Sequence, residues 1–237
     1  MHGLLASFKY LTIWGRLVER PTESEPQSFG AAAALFPLVG LLLGLLLALL
    51  NYGLGLYLEY QLLSILLVGF LVLATGAAPC DGVKKTFDGL LVNRTVDAKP
   101  KETTLGIAAM LLLMLCKIRA VYIIDDQIAL SLLLAPVFAR WTLVLFIFGY
   151  HDRCEETARG IADNLRFWHL LMSTTAILGL AAFWLGRRGL WVGLCLSILA
   201  LSARSLLHRR HGMLTHDNFG AVIEIGETLT LILLASL

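Results

Sequence analysis

Apolar residues run in long blocks along the chain, and polar residues collect between the blocks. A helix that crosses a bilayer needs roughly 20 mostly apolar residues. Seven stretches meet that need, at about 31–51, 62–79, 106–124, 128–149, 169–186, 190–206 and 219–237. Several are short or carry polar groups, so the count reads as six to eight. The gaps are too small for a soluble domain, and 1–237 reads as a single membrane domain. A short link carrying Arg187 and Arg188 separates the fifth and sixth stretches, which predicts a hairpin. The N-terminal "MHGLLASFKYLTIWGRLVER" differs, because Lys9 and Arg16 interrupt its apolar residues where a secretory signal needs an unbroken core. Leu4, Leu5, Phe8, Leu11, Ile13 and Trp14 fit an amphipathic helix at the membrane surface, so 1–28 is expected to be interfacial.

Composition agrees with that pattern. Of 237 residues, 58% are apolar and 15% charged, and the mean hydropathy is +0.78. Soluble domains carry about 25% charged residues. The expected fold is all-α, a polytopic helical bundle in a membrane, with lipid as its surroundings. A formal charge of +2, from basic residues scattered between the apolar blocks, excludes a nucleic-acid binder. Cys80, Cys116, Cys154 and Cys195 form no C-x-x-C pair, so neither a disulfide framework nor a structural zinc site is expected.

Lys and Arg accumulate in cytoplasmic loops. With the N-terminus inside, fourteen fall on that side: Lys9, Arg16, Arg20, Lys84, Lys85, Arg94, Lys99, Lys101, Arg153, Arg159, Arg166, Arg204, Arg209 and Arg210. The opposite loops hold Arg187 and Arg188 beside the acidic Glu59, Asp125 and Asp126. The segments 80–105 and 150–168 and the start of the last span then share the cytoplasmic face, where a polar site is expected.

Two acidic helix faces are candidates for that site. In "APCDGVKKTFDG", Asp81 and Asp88 lie two turns apart, with Lys84 and Lys85 between them. In "THDNFGAVIEIGE", Asp217 and Glu224 repeat the seven-residue spacing and Glu227 follows. Facing each other across a cleft, these carboxylates suit Mg²⁺, which takes a few carboxylates, water and substrate phosphate. The plainer alternative is that Asp81 with Lys85, and Lys84 with Asp88, form i,i+4 ion pairs. Lys117 and Arg140 lie deep within spans, where a charge costs roughly 3 kcal/mol or more unless paired, so each is expected to meet an acid or a phosphate. Arg119 can snorkel to the surface. His216, beside Asp217, is a candidate proton-transfer group. Phe36, Pro37 and Gly40 are expected to kink and pack the first span.

Three stretches, "FGAAAALFPLVGLLLG" (29–44), "TGAAPCDGVKKTFDG" (75–89) and "THDNFGAVIEIGE" (215–227), together resemble cobalamin synthase, the adenosylcobinamide-GDP ribazoletransferase family. Lys117 in "LCKI" and Ala139-Arg140-Trp141 are similar to residues of that family. The resemblance implies a polytopic, Mg²⁺-dependent enzyme of a prokaryotic cytoplasmic membrane. Such an enzyme joins adenosylcobinamide-GDP to α-ribazole or its 5′-phosphate with release of GMP. It further implies catalytic roles for Asp81, Asp88, Asp217 and Glu224, and metal ligation by these four and Glu227. Lys85, Lys117, Arg140 and Arg153 would bind substrate.

The chain also departs from the family pattern, which reads His-Leu-Asp-Gly-Leu-Ala-Asp-x-x-Asp-Gly. Here Pro79 replaces the His and Lys85 the central Asp. Of a downstream Asp-Ser-Arg-x-Gly, "AKPKETTLG" keeps little beyond Gly106. A lysine beside two aspartates competes with a metal for them. A catalytically degenerate homologue, acting as a scaffold or corrinoid-binding protein, is therefore the alternative reading. Other membrane phosphotransferases, such as those acting on CDP-alcohols, and transporters are weaker ones. Self-association is left open.

Overall fold

The computed structural model describes residues 11–12, 35–91, 103–124, 127–149 and 165–237. These residues form eight helices and, among the described residues, no strand. In chain order they are α1 (Phe36–Leu54), α2 (Tyr60–Ala74), α3 (Ala78–Leu91), α4 (Thr104–Ile123), α5 (Ile128–Ile147), α6 (Phe167–Leu185), α7 (Arg187–His211) and α8 (His216–Ser236). Six of them, all but α2 and α3, are long and apolar enough to cross a membrane. The protein is an integral membrane helical bundle.

Helix α5 is the buried axis. Its neighbour α1 starts with Pro37 in the first turn, a position where the missing N–H is no loss. Gly40 and Gly44, one turn apart, let the α1 backbone lie on α5: a Cβ on Gly40 would run into the Pro136 carbonyl, and one on Gly44 into that of Leu133. On the other side of α5, Phe138 and Trp141 pack with Ile177 and Ala181 of α6 and Val192 and Leu196 of α7. Trp141 donates its indole N–H to Thr174 at 3.1 Å. The expected hairpin turns at Gly186, whose φ of 58° suits glycine. Leu49, Leu112, Phe183 and Leu194 point outward from the bundle, as lipid-facing residues do.

The expected second span, 62–79, is not one helix. After Ala74 the chain makes two left-handed residues, Gly76 (φ 64°) and Ala77 (φ 56°). The N–H of Gly76 donates to Leu73 O at 3.0 Å and that of Ala77 to Val72 O at 2.8 Å, the two bonds of a Schellman stop. Helix α3 then leaves at 83° to α2, with Pro79 in its first turn. This bend turns Asp81, Lys84, Lys85 and Asp88 away from the line of α2. Helix α8 starts with a reciprocal cap between Thr215 and Asn218, which puts Asp217 in its first turn. Of the expected interfacial segment 1–28, Leu11 and Thr12 are described, and both are buried inside the protein. The rest of that segment, and Arg153, lie outside the described residues.

Candidate active site

Helices α3 and α8 cross at two glycines. A Cβ on Gly82 would come within 2.5 Å of the Asp217 carbonyl, and one on Gly220 within 2.9 Å of the Ala78 carbonyl. No larger residue lets the two backbones meet this closely. Next to the contact, buried Asn218 donates from Nδ2 to Thr86 Oγ1 at 3.0 Å and fixes the register. That register brings Asp217 to the face of α3 carrying Asp81 and Lys85. Lys85 Nζ lies 2.7 Å from Asp81 Oδ2 and 3.4 Å from Asp217 Oδ1. The three side chains are 51%, 52% and 40% exposed, in the order Lys85, Asp81, Asp217. The hydrogen bond to Asp81 raises the Lys85 pKa above its usual value; burial opposes it, and the charges of Asp217 and Asp81 add to the rise.

The other acids of α8 are elsewhere. Glu224 and Glu227 point into the bundle, where Lys117 of α4 donates to Glu224 Oε1 and, at 2.8 Å, to Glu227 Oε2. Arg140 of α5 donates from Nη1 to the second oxygen of Glu227 and, at 3.3 Å, to Pro136 O. All four side chains are at most 3% exposed. Two cations balance two carboxylates, and the knot ties three helices together. Arg140 Nε and Nη2 are buried and have no hydrogen-bond partner among the described residues.

Asp88 has a third setting. Its Oδ1 accepts the backbone N–H groups of Thr103 and Gly106, both at 3.1 Å, and the Thr103 hydroxyl. These are among the unsatisfied donors at the start of α4, so a carboxylate from α3 caps α4 and complements its dipole. Gly106 is needed there because a side chain would strike Asp88.

The five candidate carboxylates therefore occupy three places. Asp81 and Asp217 converge on Lys85, Asp88 caps α4, and Glu224 and Glu227 face Lys117 and Arg140. The described residues contain no group of three His, Cys, Asp or Glu placed to hold a metal. Asp81 and Asp217, the pair nearest to a Mg²⁺ ligand set, already share an ammonium, so a resident Mg²⁺ does not fit this arrangement. Of the expected i,i+4 pairs, Asp81–Lys85 is present. Among the described residues Lys117 pairs with Glu224 and Glu227, and its side chain is fully buried. The Thr86–Asn218 tie and the Thr103 contact to Asp88 were not anticipated from sequence. A Thr and an Asn carry no pattern that names a partner on another helix, and a backbone N–H carries none at all.

Beside the crossing lies a cavity of about 40 Å³ whose lining includes Leu11, Pro79, Arg140, His216, Asp217 and Ile223. A smaller one of about 10 Å³, the size of one water, adjoins Lys117 and Glu227.

The family described as Cobalamin-5-phosphate synthase matches residues 3–235. An adenosylcobinamide-GDP ribazoletransferase of Pseudomonas fluorescens is 32% identical, covering 91% of this chain and 92% of the relative. Proteins of the same name from Geotalea daltonii and Stutzerimonas stutzeri are 29% and 30% identical, covering 89% and 99% of this chain and 88% and 98% of the relatives. No solved structure matches the chain. With the match running through both helices of the crossing and all four members of the ionic knot, the chain belongs to the cobalamin-5-phosphate synthase family.

Proposed function

We propose that the chain is a transferase of cobalamin synthesis that joins adenosylcobinamide-GDP to α-ribazole, or to its 5′-phosphate, and releases GMP. What supports this reading is the family match over 3–235 together with relatives of that name along nearly the whole chain. A ribose hydroxyl of α-ribazole attacks the cobinamide-side phosphorus of the diphosphate. The new P–O bond forms as the bond to the bridging oxygen breaks, and GMP leaves with the electron pair. The hydroxyl proton passes to a carboxylate.

The α3–α8 crossing offers the groups for this chemistry. Lys85 can swing from its exposed carboxylate partners to the diphosphate oxygens, since such pairs are worth only about 0–1 kcal/mol. Freed in the same motion, Asp217 or Asp81 takes the proton. Phosphoryl-type transfer depends mainly on positioning and charge neutralisation, so a lysine held between two acids is a reasonable centre. Asp88 and Glu224 act as positioning residues, holding α3 on α4 and α8 in the bundle. We assign Mg²⁺ to the substrate, as the counter-ion of its diphosphate, because the acids described leave no resident position for it. The site opens to the cytoplasm from the inner membrane, in line with the basic loops.

Purified protein in detergent, given adenosylcobinamide-GDP and α-ribazole, is expected to release GMP and form a cobalamin product detectable by mass spectrometry. Absence of both under every metal condition rejects the reading.

A further inference from the structure

The groups assigned to the reaction stand on two helices. Lys85 and Asp81 belong to α3 and Asp217 to α8, so Asp217 keeps one place relative to a substrate held by Lys85 only while the two helices keep one register. A slip of one residue along α8 moves a side chain by about 1.5 Å and turns it by about 100°. A displacement of about 1 Å at a reacting group can cost roughly a hundredfold in rate.

Two features of the crossing set that register weakly. Gly82 and Gly220 bring backbone against backbone and have no side chains to interlock. The Lys85–Asp217 pair is exposed, with 3.4 Å between its atoms, and such pairs contribute little. The Thr86–Asn218 bond differs in kind. Both residues are buried, and each directly follows a member of that ion pair in sequence. A buried donor that loses its acceptor is costly, so a slip that breaks the bond is opposed. The amide is also fixed in orientation: its Oδ1 accepts the Thr215 N–H at 2.9 Å, which leaves Nδ2 to face Thr86 Oγ1 at 3.0 Å. One side chain thus ties the first turn of α8, where Asp217 lies, to the turn of α3 that carries Lys85.

We propose that Asn218 and Thr86 are positioning residues of the transfer reaction, whose bond holds Asp217 where it takes the proton of the attacking hydroxyl. That proton passes to Asp217 as the hydroxyl oxygen bonds to phosphorus, and GMP leaves with the electron pair of the broken bond. The proposal rests on the transferase reading and deepens it, because it selects Asp217 over Asp81 as the proton acceptor. Asp81 shares α3 with Lys85, so its place beside the substrate does not depend on the tie; that of Asp217 does.

The test measures kcat and KM for GMP release from adenosylcobinamide-GDP, per folded protein by circular dichroism, with the full chain in detergent. Thr86→Val removes the acceptor and keeps the shape. Its kcat is expected to fall at least tenfold while KM stays within twofold, because Lys85 is untouched. The double variant Thr86→Val, Asn218→Leu strands no donor at the tie; it should show the same loss, and it stands in if Thr86→Val fails to fold. Thr86→Ser keeps the acceptor and should return kcat to within threefold of wild type. Thr215→Ala removes the hydroxyl that caps α8 and leaves the tie; it should unfold more easily in SDS with kcat within twofold. Wild-type kcat in both tie variants, a loss that falls on KM instead, or no recovery in Thr86→Ser overturns the proposal. So does a Thr215→Ala protein that loses as much kcat as Thr86→Val, since helix stability and not register would then set the rate. A wild type that releases no GMP refutes the transferase reading and this proposal with it, whereas an active wild type matched by its tie variants refutes the proposal alone.

Discussion

Replacing Lys117 with methionine removes the cation that both buried glutamates share, while keeping most of the side-chain volume. In the native knot two positive charges face two negative ones, all at most 3% exposed. At the 2.8 Å separation of Lys117 and Glu227, one pair attracts by about 6 kcal/mol at an effective dielectric of about 20. Desolvation of the ions offsets much of that, so the knot as a whole adds little over an apolar core of equal volume. Removing a single partner is different, because it strands a charge, and the expected cost is about 3–5 kcal/mol. Glu224 is then left with no cation on it, and Glu227 with Arg140 alone. The double variant Lys117→Met, Glu224→Leu restores the balance as one Arg140–Glu227 pair. It should therefore be more stable than Lys117→Met alone, with a coupling of at least about 2 kcal/mol. Unfolding by SDS titration in mixed micelles, followed by circular dichroism, gives the four corners of the cycle. A cost below about 1 kcal/mol for Lys117→Met, or simple additivity of the two changes, would refute the stranded-charge argument.

Three further outcomes are expected. Gly82→Val forces α3 off α8 where a Cβ has no room; it should destabilise by about 1–3 kcal/mol and abolish GMP release, measured on the fraction that remains folded. Asp88→Ala removes the acceptor at the start of α4, with an expected loss of about 1–2 kcal/mol in the same SDS titration, and Asp88→Asn, which keeps one oxygen, should lose less. Lys85→Ala should raise KM for adenosylcobinamide-GDP roughly tenfold with stability changed by less than about 1 kcal/mol, since its ion pairs are exposed. Asp81 holds the Lys85 pKa up, so its charge persists below the ordinary value of 10.5 and is lost only above it; KM profiles should show no Lys85 inflection below that pH.

How far the fold was legible depends on the kind of signal. Unbroken apolar length marks the six long helices directly, and the need of Lys117 and Arg140 for partners follows from their depth alone. Asp81 and Lys85, four apart on one helix, could be paired from spacing. Other features depend on contacts between distant segments. The stop at Gly76 and Ala77 lies within an apolar stretch, where "ATGAAP" reads as readily as continuing helix. Glu224 and Glu227 share a face with Asp217 by spacing, yet burial separates them: the first turn of α8 reaches the polar crossing, and two turns on it is enclosed by α4 and α5. Asp88, on the same stripe as Asp81, is claimed by backbone donors of α4, which no side-chain pattern announces.

The elbow after α2 has a consequence for the surrounding lipid. Helix α2 has 15 residues, or about 22 Å at 1.5 Å per residue, against a hydrocarbon layer of about 30 Å. Acyl chains around a span this short would compress or leave room for water, with a strain that grows with bilayer thickness. A bilayer thinned to match α2 would set the charged turns of α3 several ångströms below the surrounding headgroups. A substrate with a bulky, greasy ring system at one end and phosphates at the other would find its two halves met at different depths there.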